Sequence, residues 1–240
     1  MTDVHPEAAP AFLEPLLGSL GSVEAYDLAP HRVPPPAGGP RAAVLMLFAE
    51  GPEGPDVLLV ERASTLRNHA GQVAFPGGRI DPGDAGPLGA ALREAEEETG
   101  LDPAGVVPLA LLPELFIPPS GFVVTPVLAY WAEPSAVHAV DPAETAAVVR
   151  VPVADLVDPA NRVTTLHPSG HRGPAFLVAG VLVWGFTGGL LSGLLDRAGW
   201  AHPWDESRVL DLGAAWSAAR SARGGDRNGR RHGGQEAAGT

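Results

Sequence analysis

The sequence predicts an α+β domain. Short apolar runs bounded by Pro, Gly or Asp recur along the chain, one long amphipathic stretch between them ends on a glycine, and runs and helices do not alternate as regular βαβ units. With 240 residues, 45% of them hydrophobic, the chain can bury one substantial core. Its 30 glycines and 26 prolines place a large share of it in turns and loops. A mean hydropathy of +0.08 is too apolar for a disordered chain and too polar for a polytopic membrane protein.

In chain order, Phe12, Leu13, Leu16, Leu17 and Leu20 have helical spacing and predict a short docked helix. Pro34-Pro35-Pro36 followed by Gly38-Gly39 reads as a linker, which makes residues 1–40 an N-terminal helix plus linker. Strands are expected at Ala42–Phe48 and Val57–Val60, joined by a turn over Gly51–Pro55, and at Val73–Phe75 running into Pro76-Gly77-Gly78. Ala85–Thr99 is the clearest helix, with Gly100 where a left-handed residue ends a helix well. Strands follow at Val106–Leu112, Phe122–Trp131 and Thr145–Val151, then a helical turn at Val153–Val157. A late hairpin of Val163–Leu166 and Ala175–Val183 turns around Pro168-Ser169-Gly170, and a helix follows at Phe186–Leu195. The main domain is expected over 41–216. From Ser217 on, Ala, Gly and Arg dominate, and 217–240 reads as a disordered tail.

Composition removes several chemistries. There is no cysteine, so disulfides, thiolate metal sites and a cysteine nucleophile are out. All 16 basic residues are arginine, which removes Schiff-base chemistry and a Walker-type phosphate loop. A net charge of −12 argues against a sequence-independent grip on nucleic acid. Met1 to Ala25 has no basic segment ahead of an apolar one, so it does not read as a secretory signal and a cytoplasmic location is expected. Residues 173–195 carry no charge and are long enough to span a bilayer. Gly180, Gly185, Gly188, Gly189 and Gly193, Pro174 at their start and the absence of flanking arginine clusters favour buried strand and helix instead.

The chemistry concentrates between Phe75 and Leu101. On a helix, Glu94, Glu97 and Glu98 fall within roughly 100° of one another, while Leu88, Leu92, Ala95 and Thr99 form a neighbouring packing face. Glu96 points away from both. Like charges on adjacent turns destabilise a helix. Hard divalent cations such as Mg²⁺ or Mn²⁺ would cancel that repulsion, and they prefer carboxylate oxygens. The Gly77-Gly78 loop ahead of the helix lets backbone approach a ligand, which suits a metal-bound diphosphate.

Arg93 to Leu101 resembles the end of the Nudix box, the loop-helix-loop signature of Nudix hydrolases. The resemblance implies a mixed β-sheet sandwiched between helices, and a metal site on Glu94, Glu97 and Glu98. The start of the box departs: Asp84 stands where the general pattern has a glutamate, and the spacing from Gly78 to Arg93 is one residue longer. Upstream, Leu58-Leu59, Arg62, Ala63, Arg67, Gly71 and Phe75-Pro76-Gly77-Gly78 resemble the extra signature of the coenzyme A pyrophosphatase branch, which shares the longer loop and its aspartates. Val60 stands where that branch usually has threonine. Weaker similarity extends through Ser120–Pro126 and through Trp184-Gly185 with Thr187.

The resemblance implies metal-dependent hydrolysis of the diphosphate of coenzyme A or a derivative, giving 3′,5′-ADP and 4′-phosphopantetheine. Arg62, Arg67 and Arg79, with Gly77 and Gly78, are the expected substrate-binding residues, since arginine's planar fork suits phosphate oxygens. Arg93, roughly 40° from Glu97 on the helical wheel, is expected to orient a ligand carboxylate. Glu97 or Glu94 could act as general base from the helix; Glu144 is the candidate from a later loop, with Glu114 behind it. His69 reads as a surface or hydrogen-bonding residue. The expected partner is a small coenzyme A-like nucleotide, with neither nucleic acid nor membrane, and a homodimer is left open. The competing readings are a Nudix enzyme for NADH, ADP-ribose or a dinucleoside polyphosphate, a non-catalytic binding module, and membrane association through 173–195.

Overall fold

The computed structural model describes residues 3–21, 28, 38–66, 69–118 and 120–229, with only the backbone from 222 on. Among these, eight strands form one sheet in which β3 (Val73–Ala74), β2 (Gly54–Arg62), β1 (Arg41–Gly51), β7 (Phe122–Trp131) and β5 (Val106–Leu111) lie in that order. Beside this path, β4 (Gly77–Arg79) pairs with β1, β6 (Leu115–Ile117) with β7, and β8 (Thr145–Pro152) with β2. β1 and β7 run parallel, Arg41 facing Val123 and Phe48 facing Tyr130; the other pairs are antiparallel, which makes the sheet mixed.

The continuous apolar run of β1 follows from burial on both faces. Ala43, Leu45, Leu47 and Ala49 face α2 (Gly86–Thr99), where Ala90, Ala91 and Ala95 meet them. Met46 and Phe48 face the opposite core, shared with Leu13, Leu16 and Leu190. That second core is built from α1 (Glu14–Leu20), α4 (Gly185–Arg197) and the inner face of a second sheet. The second sheet has the order β11 (Val181–Val183), β10 (Arg172–Val178), β9 (Arg162–Leu166), β12 (Val209–Asp211). Its outer face is covered by α5 (Leu212–Gly229), where Leu212, Ala215 and Ala219 are buried with Val163, Ala175 and Leu182. A short helix, α3 (Val153–Val157), follows β8 as expected.

Several expectations need correction. The run Ala175–Val183 is two strands, because Ala179 and Gly180 take φ of +50° and +71° and fold a tight turn between Val178 and Val181. Strand β4 was not expected, since two glycines have little strand propensity. It forms because β1 offers an unpaired edge, Ala43 facing Gly78 and Val44 facing Gly77. β6 and β12 are three-residue strands, also made by their neighbours. The stretch from Ser217 does not begin as a tail: α5 continues through it to Gly229 and Ala219 is 1% exposed. Residues 230–240 and the Pro34-Pro35-Pro36 linker lie outside the described residues. The uncharged stretch 173–195 is divided among β10, β11 and α4, and no described helix is long and apolar enough to cross a membrane.

Candidate active site

The site lies where β4 and α2 meet. Gly77 runs so close to β1 that a Cβ on it would lie 2.3 Å from the Ala43 carbonyl oxygen and 2.7 Å from the Val44 Cα. A Cβ on Gly78 would lie 2.4 Å from the carboxyl carbon of Glu94. The two glycines are therefore different in kind: the first lets the loop join the sheet, and the second lets a helix carboxylate lie over the loop. α2 begins behind Gly86, at φ +73°, with Pro87 in its first turn. It ends on Gly100 at φ +68°, the left-handed cap read from the sequence.

Glu98 turns inward. Its Oε2 accepts from the Gly77 N–H at 3.0 Å, and its Oε1 is 3.9 Å from Arg62 Nη1. Burial pushes its pKa up to about 7, against the opposing pull of the Gly77 hydrogen bond and of Arg62; the charges of Glu94 and Glu144 add to the rise. Glu94 is also held above the usual carboxylate range by burial, with Arg93 opposing.

Arg93 is the hub of the other carboxylates. Its Nε and Nη2 donate to the two oxygens of Asp84 at 2.9 and 3.1 Å, a bidentate pair. Its Nη1 donates to Glu94 Oε1 at 3.0 Å and Glu97 Oε2 at 3.1 Å, and its Nη2 also to the Arg79 carbonyl at 3.1 Å. Asp84 additionally accepts from the Asp81 N–H at 2.7 Å, and the Arg93 guanidinium holds it below the usual carboxylate range.

The structure thus brings together Glu94, Glu97, Glu98, Arg93, Gly77, Gly78 and Arg62. Glu144 joins them: its charge reaches Glu98, and its carbonyl accepts from the Ala63 N–H at 2.8 Å, one residue beyond Arg62. Arg79 contributes its carbonyl, while its guanidinium lies 5.5 Å from the centre of the Phe122 ring. Arg67 lies outside the described residues. Glu114 is bonded to Arg41 instead. His69 is exposed and bonded to Gln72 at 2.9 Å, as expected of a surface histidine. Glu96 is exposed, away from both helix faces. Asp84 is the residue whose part the sequence left undefined. Its position in the box was the available signal; its pairing with Arg93 depends on how the loop folds back on the helix.

The donor set suits a hard divalent cation: three carboxylates share one helix face, and burial of Glu98 outweighs the charge of Arg62 3.9 Å away. Among the described residues no three acidic or histidine side chains converge as a ready cage, because Arg93 holds Glu94 and Glu97 while Glu98 turns to Gly77.

A glycine loop leading into a carboxylate-bearing helix packed on a mixed sheet is the arrangement of a Nudix domain, and the NUDIX domain family matches residues 39–169. The chain belongs to the Nudix family. An uncharacterized Nudix hydrolase named NudL from Cronobacter sakazakii is 40% identical over 166 residues, covering 66% of this chain and 83% of that protein. NudL from Escherichia coli K12 is 36% identical over the same shares. Among solved structures, the M. smegmatis Nudix hydrolase RenU aligns with a TM-score of 0.41 at 30% identity, over 49% of this chain and 73% of that one. A MutT/nudix family protein from Enterococcus faecalis aligns with a TM-score of 0.45 at 16% identity, over 80% and 75%. Nudix hydrolases act on small nucleotide derivatives and generally use Mg²⁺ or Mn²⁺.

Proposed function

We propose that the protein hydrolyses the diphosphate bond of coenzyme A or an acyl or oxidised derivative, releasing 3′,5′-ADP and the phosphopantetheine half. The observation that carries this reading is the position of Arg62. It comes from the segment that resembles the coenzyme A branch, it stands beside Glu98, and its buried Nε has no hydrogen-bond partner among the described residues. A guanidinium with an unpartnered N–H next to the glutamate helix supports the reading that Arg62 holds a phosphate oxygen. Arg67 and Arg79 are assigned the same task along the glycine loop.

Glu94, Glu97 and Glu98 would hold the divalent cation. When bound there, it supplies charge neutralisation at the diphosphate and a lowered pKa for water. Arg93 and Asp84 orient Glu94 and Glu97. Gly77 and Gly78 let the loop backbone lie close to the substrate. Glu144, exposed and on the Arg62 side of the site, accepts the proton of the attacking water; Glu97 or Glu94 is the alternative acceptor.

The test is product analysis with Mg²⁺ or Mn²⁺ on coenzyme A, NADH, ADP-ribose and a dinucleoside tetraphosphate. Release of 3′,5′-ADP from coenzyme A, with at least about tenfold lower kcat/KM on the rest, is the expected result. Preferential turnover of another substrate would keep the metal assignment and overturn the coenzyme A assignment. No turnover of any of them, with or without metal, would leave a binding module.

A further inference from the structure

Glu98 is engaged twice. Its carboxylate accepts from Gly77, and its main-chain carbonyl accepts from the Val140 N–H at 3.3 Å. The next carbonyl, of Thr99, accepts from the His138 N–H at 2.9 Å. Carbonyls in the last turn of a helix have no partner within it, so residues 138–140 act as an external cap on α2. The His138 ring lies against Gly100, where a Cβ would be 3.0 Å from its Cε1.

The chain then turns tightly. Asp141 Oδ1 accepts from the Ala143 N–H at 2.8 Å, and its carbonyl accepts from the Glu144 and Thr145 N–H groups at 3.0 and 2.8 Å. At the far end Glu144 accepts from the Ala63 N–H at 2.8 Å, and Thr145 pairs with Arg62 where the β2–β8 register shifts. Residues 138–144 therefore bridge the glutamate helix and the strand that carries Arg62, with hydrogen bonds at both ends.

We propose that Val140 is a positioning residue: its N–H ties the Glu144 turn to the end of α2, so that Glu144 faces the diphosphate site from a fixed place. This rests on the reading of Glu144 as the proton acceptor. Val140 is 48% exposed, so the backbone N–H is the group that matters.

The test uses the full chain with Val140→Pro, which removes the N–H, and Val140→Ala, which keeps it. Amide hydrogen exchange without metal or substrate reads the tether directly. In Val140→Pro the Ala63 amide is expected to exchange at least about tenfold faster, and in Val140→Ala to be unchanged. If the proline ring itself prevents folding, an ester at position 140, with the hydroxy acid analogue of valine, removes the same N–H without it. Unchanged Ala63 protection in the variant lacking the N–H would overturn the proposal.

Kinetics supply the second readout. Val140→Pro and Glu144→Gln should each lower kcat with KM within about twofold, and the double variant should be no slower than the slower single. Multiplicative losses would mean that the cap acts through the helix alone and would also overturn the proposal. A wild type that turns over no diphosphate would sink the functional reading, while the exchange experiment still decides the tether.

Discussion

Glu98 sits in conflict with its surroundings. Burial raises its pKa to about 7, whereas the same side chain in an unfolded chain titrates near 4.5. A raised folded pKa gives stability that is fully present below the unfolded pKa and is lost as pH rises through the folded one. Metal-free protein should therefore lose stability between about pH 4.5 and pH 8, by at most about 3 kcal/mol from this group. Glu98→Gln should remove that loss. In denaturant titrations without divalent metal, the variant should be more stable than wild type at pH 8 and nearly equal at pH 5. Added Mg²⁺ should raise the Tm of wild type and leave the variant unmoved, as the proposed site on Glu94, Glu97 and Glu98 requires. The neighbouring pair behaves differently. Asp84 holds two N–H groups of Arg93, whose remaining contacts hold Glu94 and Glu97. Asp84→Ala should lower kcat/KM about 10- to 100-fold while the urea midpoint stays close to wild type.

At the scale of elements, the site depends on a strand in which two of the three residues, Gly77 and Gly78, have no side chains. Gly77→Ala would drive a Cβ into the backbone of β1, which cannot give way without breaking the β1–β4 pairing. A loss of about 2 kcal/mol or more in denaturant titration is expected. Gly78→Ala instead meets the end of the Glu94 side chain, which can swing aside. That variant should keep a near-wild-type Tm and lose most of its activity and metal affinity, measured by titration calorimetry. Opposite outcomes for two adjacent glycines would separate a scaffold position from a site position. α2 is fixed on the sheet by alanines on one face, which leaves its glutamate face free to meet β4.

Across the whole molecule, the second sheet is joined to α4 through a buried arginine. Arg162 is 1% exposed, donates to Ser192 at 2.6 Å, and lies 5.0 and 4.6 Å from the ring centres of Phe176 and Trp204. Its Nε and Nη1 have no partner among the described residues, and burial lowers its pKa. It ties β9 and β10 to α4 and to the stretch that leads into β12. Arg162→Ala should cost about 2–4 kcal/mol, through the cavity and the lost cation–π contacts. Unfolding followed by Trp fluorescence would read it, since Trp204 reports on this junction. Activity below the unfolding transition should change little, because Arg162 is not among the residues of the proposed site.

How far the sequence reached varies by residue. It determined α2, expected over Ala85–Thr99 and found over Gly86–Thr99, the apolar strands β1, β2 and β7, and the common face of Glu94, Glu97 and Glu98, because helical period, alternation and glycine caps are local properties. It also marked Gly77-Gly78 and Arg62 as residues of one site. The tertiary structure decided the rest. β4 is a strand only beside β1, Asp84 is a partner of Arg93 only once the loop folds onto the helix, and Glu98 acquires its raised pKa only by burial. α5 runs on past residue 217 because Ala215 and Ala219 find an apolar face on the second sheet. Glu144 lies some 46 residues beyond Glu98 in the chain, and hydrogen bonds from Val140 to Glu98 and from Ala63 to Glu144 join its turn to α2 and β2. Local pattern fixes which face of an element carries charge; the pairing of distant segments fixes which charges meet.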